Sequence, residues 1–99
     1  MAEDVGVARL LHEHSVHVRT PEGLQYVARA YGEPRSDGTW IGWLEFHPLG
    51  SKAPMLRTDQ ETSQASRDAA ESWAYGLEAA YLEGAFARAH PVAIGRSRR

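Results

Sequence analysis

Hydrophobic and polar residues alternate along three stretches in the first half of the chain, then give way to a helical spacing in the second half. In SVHVRT (15–20), Val16 and Val18 oppose His17 and Arg19, the two-residue period of a half-buried strand. LQYVARAYG (24–32) places Leu24, Tyr26, Ala28 and Ala30 on one face and Gln25, Val27, Arg29 and Tyr31 on the other. The third stretch, 39–47 within DGTWIGWLEFHP, divides its tryptophans. Trp40 is in register with Gly42, Leu44 and Phe46; Trp43 is in register with Ile41, Glu45 and His47. Pro-Glu-Gly (21–23) and Asp-Gly (37–38) are turn signals, so the three strands are predicted to form an antiparallel meander.

MLRT (55–58) is a candidate short fourth strand. From about Ser63 to Ala89 the chain is rich in Ala, Leu and Glu and lacks proline, which predicts one long helix. Thr58 with Glu61 has the form of a capping box; Thr62 or Ser63 are alternative caps. Pro91 and Gly95 mark the helix end. The predicted organisation is an N-terminal lead (1–14, a short helix or unstructured), a single domain (15–90) and a basic tail (91–99). The fold class is α+β: a three- to four-stranded antiparallel sheet packed by one long C-terminal helix, β-β-β-(β)-α.

At 100° per residue, Ala69, Ala70, Trp73, Leu77, Ala80, Tyr81 and Gly84 form one helical stripe, the expected cover for Trp40, Leu44, Phe46, Tyr26 and Ala28. This leaves a second apolar set. Val27, Tyr31, Ile41 and Trp43, with Arg29 and Glu45, lie on the other sheet face. Tyr75, Ala79, Leu82 and Phe86 form a second stripe roughly opposite the first. Paired apolar patches of this kind, rich in aromatics and arginine, point to an interface. Val27, Arg29, Tyr31, Ile41, Trp43, Tyr75, Leu82 and Phe86 are the candidate contacts. A homo-oligomer, a different protein, or the N-terminal segment through Val5, Leu10 and Leu11 are the alternative covers.

Ninety-nine residues make one small domain, and the absence of cysteine excludes disulfides and thiolate metal sites. No apolar run approaches the roughly 20 residues of a membrane span. The acidic opening MAEDVGVARLLHEH lacks the basic region of a signal peptide, so a bacterial-type cytoplasmic protein is expected. The net charge of −2 conceals an asymmetry: residues 84–99 carry four arginines and no acid. Arg96, Arg98 and Arg99 are therefore candidate phosphate contacts in an alternative, nucleic-acid-binding reading, with Tyr31 and Trp43 stacking bases.

Candidate chemistry is sparse. His12 and His14 share a strand face and His17 lies on the other, which disfavours a three-histidine metal site. Glu71, Glu78 and Glu83 are spread along the helix as a solvated face, and Glu45 beside Arg29 suits a cross-strand ion pair. Neither a nucleophile elbow nor a phosphate-binding glycine loop is present. The expectation is no cofactor, no metal and no catalysis.

DGTWIGWLEFHPLG followed by LRTDQETSQASRDAAESWA resembles the HicB-like antitoxin family over about residues 15–85, through Phe46, Pro48, Gly50, Thr58 and Thr62. The resemblance implies a sheet related to a partial RNase H fold and a non-catalytic role, neutralising a small RNase toxin. The chain departs from the family in the DQE before Thr62 and in having only a basic tail where a DNA-binding appendage would follow.

Overall fold

The computed structural model describes residues 5–50 and 52–92. It is an α+β fold with an antiparallel sheet and two helices. The long strands are β1 (Arg9–Arg19), β2 (Gln25–Pro34) and β3 (Trp40–Pro48). The short elements β4 (Leu56–Arg57), β5 (Thr62–Gln64) and β6 (His90–Pro91) extend the sheet. The helices are α1 (Arg67–Tyr75) and α2 (Ala79–Arg88). Sheet order is β1-β2-β3-β4-β6, with β5 also on β3.

The meander forms where the alternation predicts it. Gly23, at φ 95°, closes the first turn by donating to the Thr20 carbonyl at 2.9 Å. In the second, Gly38 takes φ 89° and Asp37 Oδ1 accepts from the Thr39 amide at 2.9 Å. β2 and β3 then pair without interruption from Tyr26↔Pro48 to Pro34↔Trp40. β1 differs from expectation. It begins at Arg9, so residues 9–14 belong to the sheet rather than to a lead. Its 11 residues run against Gln25–Gly32, and the excess is taken up in irregularities between Leu10 and His12 and between Glu13 and His17. These leave Val18 buried and Val16 exposed, although the two share the alternation. Bulges on an edge strand also obstruct pairing with another edge.

The far side of β3 is shared by two short strands. Arg57 pairs with Glu45, and Thr62 pairs with Gly42. Thr58 bridges the gap between these pairings. Its amide donates to the Leu44 carbonyl at 2.9 Å, and its Oγ1 accepts from the Leu44 amide at 3.0 Å. The hydroxyl thus substitutes for a carbonyl that the ladder lacks, and it donates onward to the Asp59 carbonyl at 2.9 Å. Thr58 is one of the most fully buried side chains, not a helix cap. Thr62 and Ser63 are strand residues; the cap is Ser66, whose Oγ accepts from the Ala69 amide at 3.2 Å.

The predicted single helix is broken at Gly76-Leu77-Glu78, between α1 and α2. On an unbroken helix, Ala70 and Phe86 would point about 160° apart, and one sheet could not bury both. The break turns α2 so that both helices present apolar faces to the same core. Ala70 and Ala74 on α1, and Leu82 and Ala85 on α2, are buried. Leu77, between the helices, and Phe86 pack against the cluster that includes Leu44 and Phe46. Part of the first predicted stripe is correspondingly displaced: Ala80, Tyr81 and Gly84 are exposed. Close approach of α1 depends on Gly42. Gly32 and Gly42 are directly paired, and a Cβ on Gly42 would lie 2.7 Å from Trp73 Cζ3.

Thr58→Val keeps the shape but removes the acceptor for the buried Leu44 amide. It is expected to lower unfolding free energy by about 1–3 kcal/mol in urea titrations, with Thr58→Ser, which keeps the acceptor, avoiding most of that loss.

Candidate interaction face

Trp43 and its neighbours occupy the sheet face opposite the helices. In the pairing register this face is organised as rows that cross the strands. One row is Glu13 (β1), Arg29 (β2), Glu45 (β3) and Arg57 (β4), each paired with the next. The charges alternate along it. Beside it run Leu10, Tyr31 and Trp43 in one row, and His17, Val27 and His47 in another. Arg29 Nε donates to Glu13 Oε1 at 2.8 Å. Glu45 lies opposite Arg29 as the spacing suggested, with Trp43 Nε1 donating to its carboxylate at 3.1 Å and His47 Nε2 at 3.0 Å from it.

Trp43 is only 3% exposed although both helices lie on the other side of the sheet. Its cover is side-chain matter. The Arg57 guanidinium lies 4.4 Å from the ring centroid, and Tyr31 is stacked alongside at 6.2 Å with a 12° interplanar angle. Burial together with the Glu45 charge pushes the Tyr31 phenol above its ordinary value. The molecule measures only 20 Å in its shortest dimension, the depth of one sheet and one helical layer. Val27 is buried; Arg29, Tyr31, Ile41, Glu45 and His47 are half-buried; Glu13 and Arg57 are exposed. A polar, arginine-bearing carpet over an aromatic floor is the form of an interface surface.

The five sheet candidates, Val27, Arg29, Tyr31, Ile41 and Trp43, therefore share this face. The three helix candidates do not join them. Leu82 is 2% exposed and belongs to the core, and Phe86 packs edge-on against Phe46 at 5.2 Å. Both are taken inward by the turn at Gly76. Tyr75 is 75% exposed, on the helical side, with its ring 5.2 Å from that of His12. Arg96, Arg98 and Arg99 lie outside the described residues. Glu13 and Arg57 were missed as face residues, since their place depends on the register of β1 and β4. A base could stack on Trp43 only by displacing Arg57.

The histidines divide as their spacing predicts. His12 and His14 face the helical layer with ring centroids 4.6 Å apart, and His17 Nδ1 is 3.3 Å from Gln25 Oε1 on the other side. His14 is 8% exposed, and its Nε2 has no hydrogen-bond partner. Burial, reinforced by His12, holds its pKa below 6.5 against the opposing effect of a backbone hydrogen bond at Ala74. A separate polar cluster fastens α2 to the loop before β5: Tyr81 Oη and Arg88 Nη2 both donate to Glu61 Oε1, the latter at 2.8 Å. Burial and then Glu61 raise the Tyr81 pKa. Among the described residues no group of three or more His, Asp or Glu side chains is placed to hold a metal ion, and no helix is long and apolar enough to cross a membrane.

Comparison with protein-family models, curated proteins and solved structures finds no match to this chain. The class is therefore defined by geometry alone: an α+β plate with, among the described residues, both helices on one side of the sheet.

Arg57→Ala is expected to raise acrylamide quenching of tryptophan fluorescence by uncovering Trp43, at a stability cost of under about 1 kcal/mol. Unchanged quenching would show that other atoms shield the ring. For His14, a depressed folded pKa means that the unfolded chain binds the proton more readily. Its contribution is fully present above pH 6.5 and is lost as pH falls from there through the folded value. His14→Leu should flatten this acid slope in urea midpoints measured between about pH 7.5 and about pH 5.5.

Proposed function

We propose that the protein is a non-catalytic binding module that associates with a second copy of itself through the helix-free face of its sheet. The observation that carries this is the placement of Val27, Arg29, Tyr31, Ile41 and Trp43 on one face, roofed, among the described residues, only by side chains. Such a surface combines the aromatic and arginine content of interface cores with a polar rim. The polar groups of the face are engaged with one another, as in Arg29–Glu13 and His47–Glu45, rather than converging on a vacant reaction centre. A small basic RNase of the kind the HicB-like resemblance implies is the hetero-partner of this proposal. The antiparallel meander followed by a short strand and a helix supports it.

Sedimentation equilibrium across micromolar concentrations is expected to show reversible association of the wild-type chain. A tagged chain should retain untagged copies of itself from native extract after nuclease treatment. Strictly monomeric sedimentation would contradict self-association, and retention abolished by nuclease would move the assignment to nucleic acid.

A further inference from the structure

The row Glu13, Arg29, Glu45, Arg57 has a symmetry property that selects one geometry for such a pair. We infer that two copies pack these faces together about a twofold axis running along the strands, between β2 and β3. This rests on the self-association proposed above.

Four adjacent strands carry the signs minus, plus, minus, plus at one level of the sheet, and β6 continues that level with His90 beside Arg57, outside the set of four charges. An alternating row with an even number of members is complementary to itself when reversed about its midpoint. A twofold axis along the strands performs that reversal, setting β1 over β4 of the second copy and β2 over its β3. Glu13 then faces Arg57 and Arg29 faces Glu45, each pairing occurring twice. An axis lying along the row would instead set each residue over its own copy and bring like charges together in all four positions. Of the two in-plane axes, only the first is electrostatically favourable.

Dimensions agree. Face-packed sheets stand about 10 Å apart, and neighbouring strands about 4.8 Å apart. Arg and Glu side chains reaching from both sides span that gap. Aligned sheets cross at about 30°, which moves the row ends, about 7 Å from the axis, by only about 4 Å. The same operation places Tyr31 over Trp43 of the second copy and Val27 over His47, because these pairs share levels in β2 and β3. The charges at the row ends are exposed and able to reorient: Glu13 and Arg57 both face solvent. Edge-to-edge pairing through β1 is the competing arrangement, and the two irregularities of that strand oppose it.

The test is a charge-reversal mixing experiment read by sedimentation equilibrium. Glu13→Arg and Arg57→Glu are made singly in the full chain. Each should weaken self-association about tenfold or more, since each introduces two like-charge contacts per dimer. Mixing the two variants should restore association as a heterodimer, because every outer pairing is again opposite in sign. A purely intrachain role would be restored neither by mixing nor by the double variant, because within the chain Glu13 pairs with Arg29 and Arg57 with Glu45, and that result overturns the inference. Arg29→Glu mixed with Glu45→Arg is the second set, with circular dichroism confirming folded chains. Wild-type association that ignores both sets would place the contact elsewhere and overturn the axis while leaving self-association standing. A wild-type chain that remains monomeric, whether or not it captures another protein, would overturn both.

Discussion

β3 is hydrogen-bonded along both edges and carries a tryptophan on each face, and the remainder of the fold is arranged around those demands. On one edge β2 pairs with it residue for residue. On the other, β4 and β5 share it, and the Thr58 hydroxyl supplies the acceptor that their discontinuity would otherwise remove. A buried amide left without a partner there would cost free energy comparable to a lost hydrogen bond. The centre of a thin domain thus depends on a single side-chain oxygen.

The two faces of β3 are covered by different means. Leu44 and Phe46 lie under a helical layer that approaches closely because Gly42 leaves room for Trp73, while the paired Gly32 leaves room for Leu11 of β1. The break at Gly76 lets that layer deliver two apolar surfaces to one core. Trp43, on the other face, has no such layer among the described residues and is roofed by Arg57 and flanked by Tyr31. A long, flexible cation over an aromatic ring gives cover that a partner can reorganise, whereas the packed side of the sheet is fixed by shape.

The meander was legible because alternation, Pro-Glu-Gly and Asp-Gly all agreed, and the division of Trp40 from Trp43 followed from the two-residue period. The helix break was not. The Ala-rich composition favours helix on both sides of Gly76, and one glycine costs only about 1 kcal/mol, so tertiary packing decided. Leu82 and Phe86 were accordingly assigned to an outer stripe when they belong inside. Thr58 with Glu61 imitated a helix start, while the operative cap, Ser66, lay eight positions further on. The onset of β1 was hidden because its bulges interrupt the period that identifies a strand. Glu13 and Arg57 escaped notice for the same reason: alternation reveals a face, but the neighbour across it depends on register.

Hydroxyl-radical footprinting across a concentration series addresses most directly the assignment of the helix-free face as the meeting surface of two copies. Labelling of Tyr31, Ile41 and His47 is predicted to fall as the protein is concentrated, while Tyr75 and Tyr81 on the helical side keep their reactivity. Unchanged labelling of the sheet residues, or protection confined to the two helix tyrosines, would contradict that assignment.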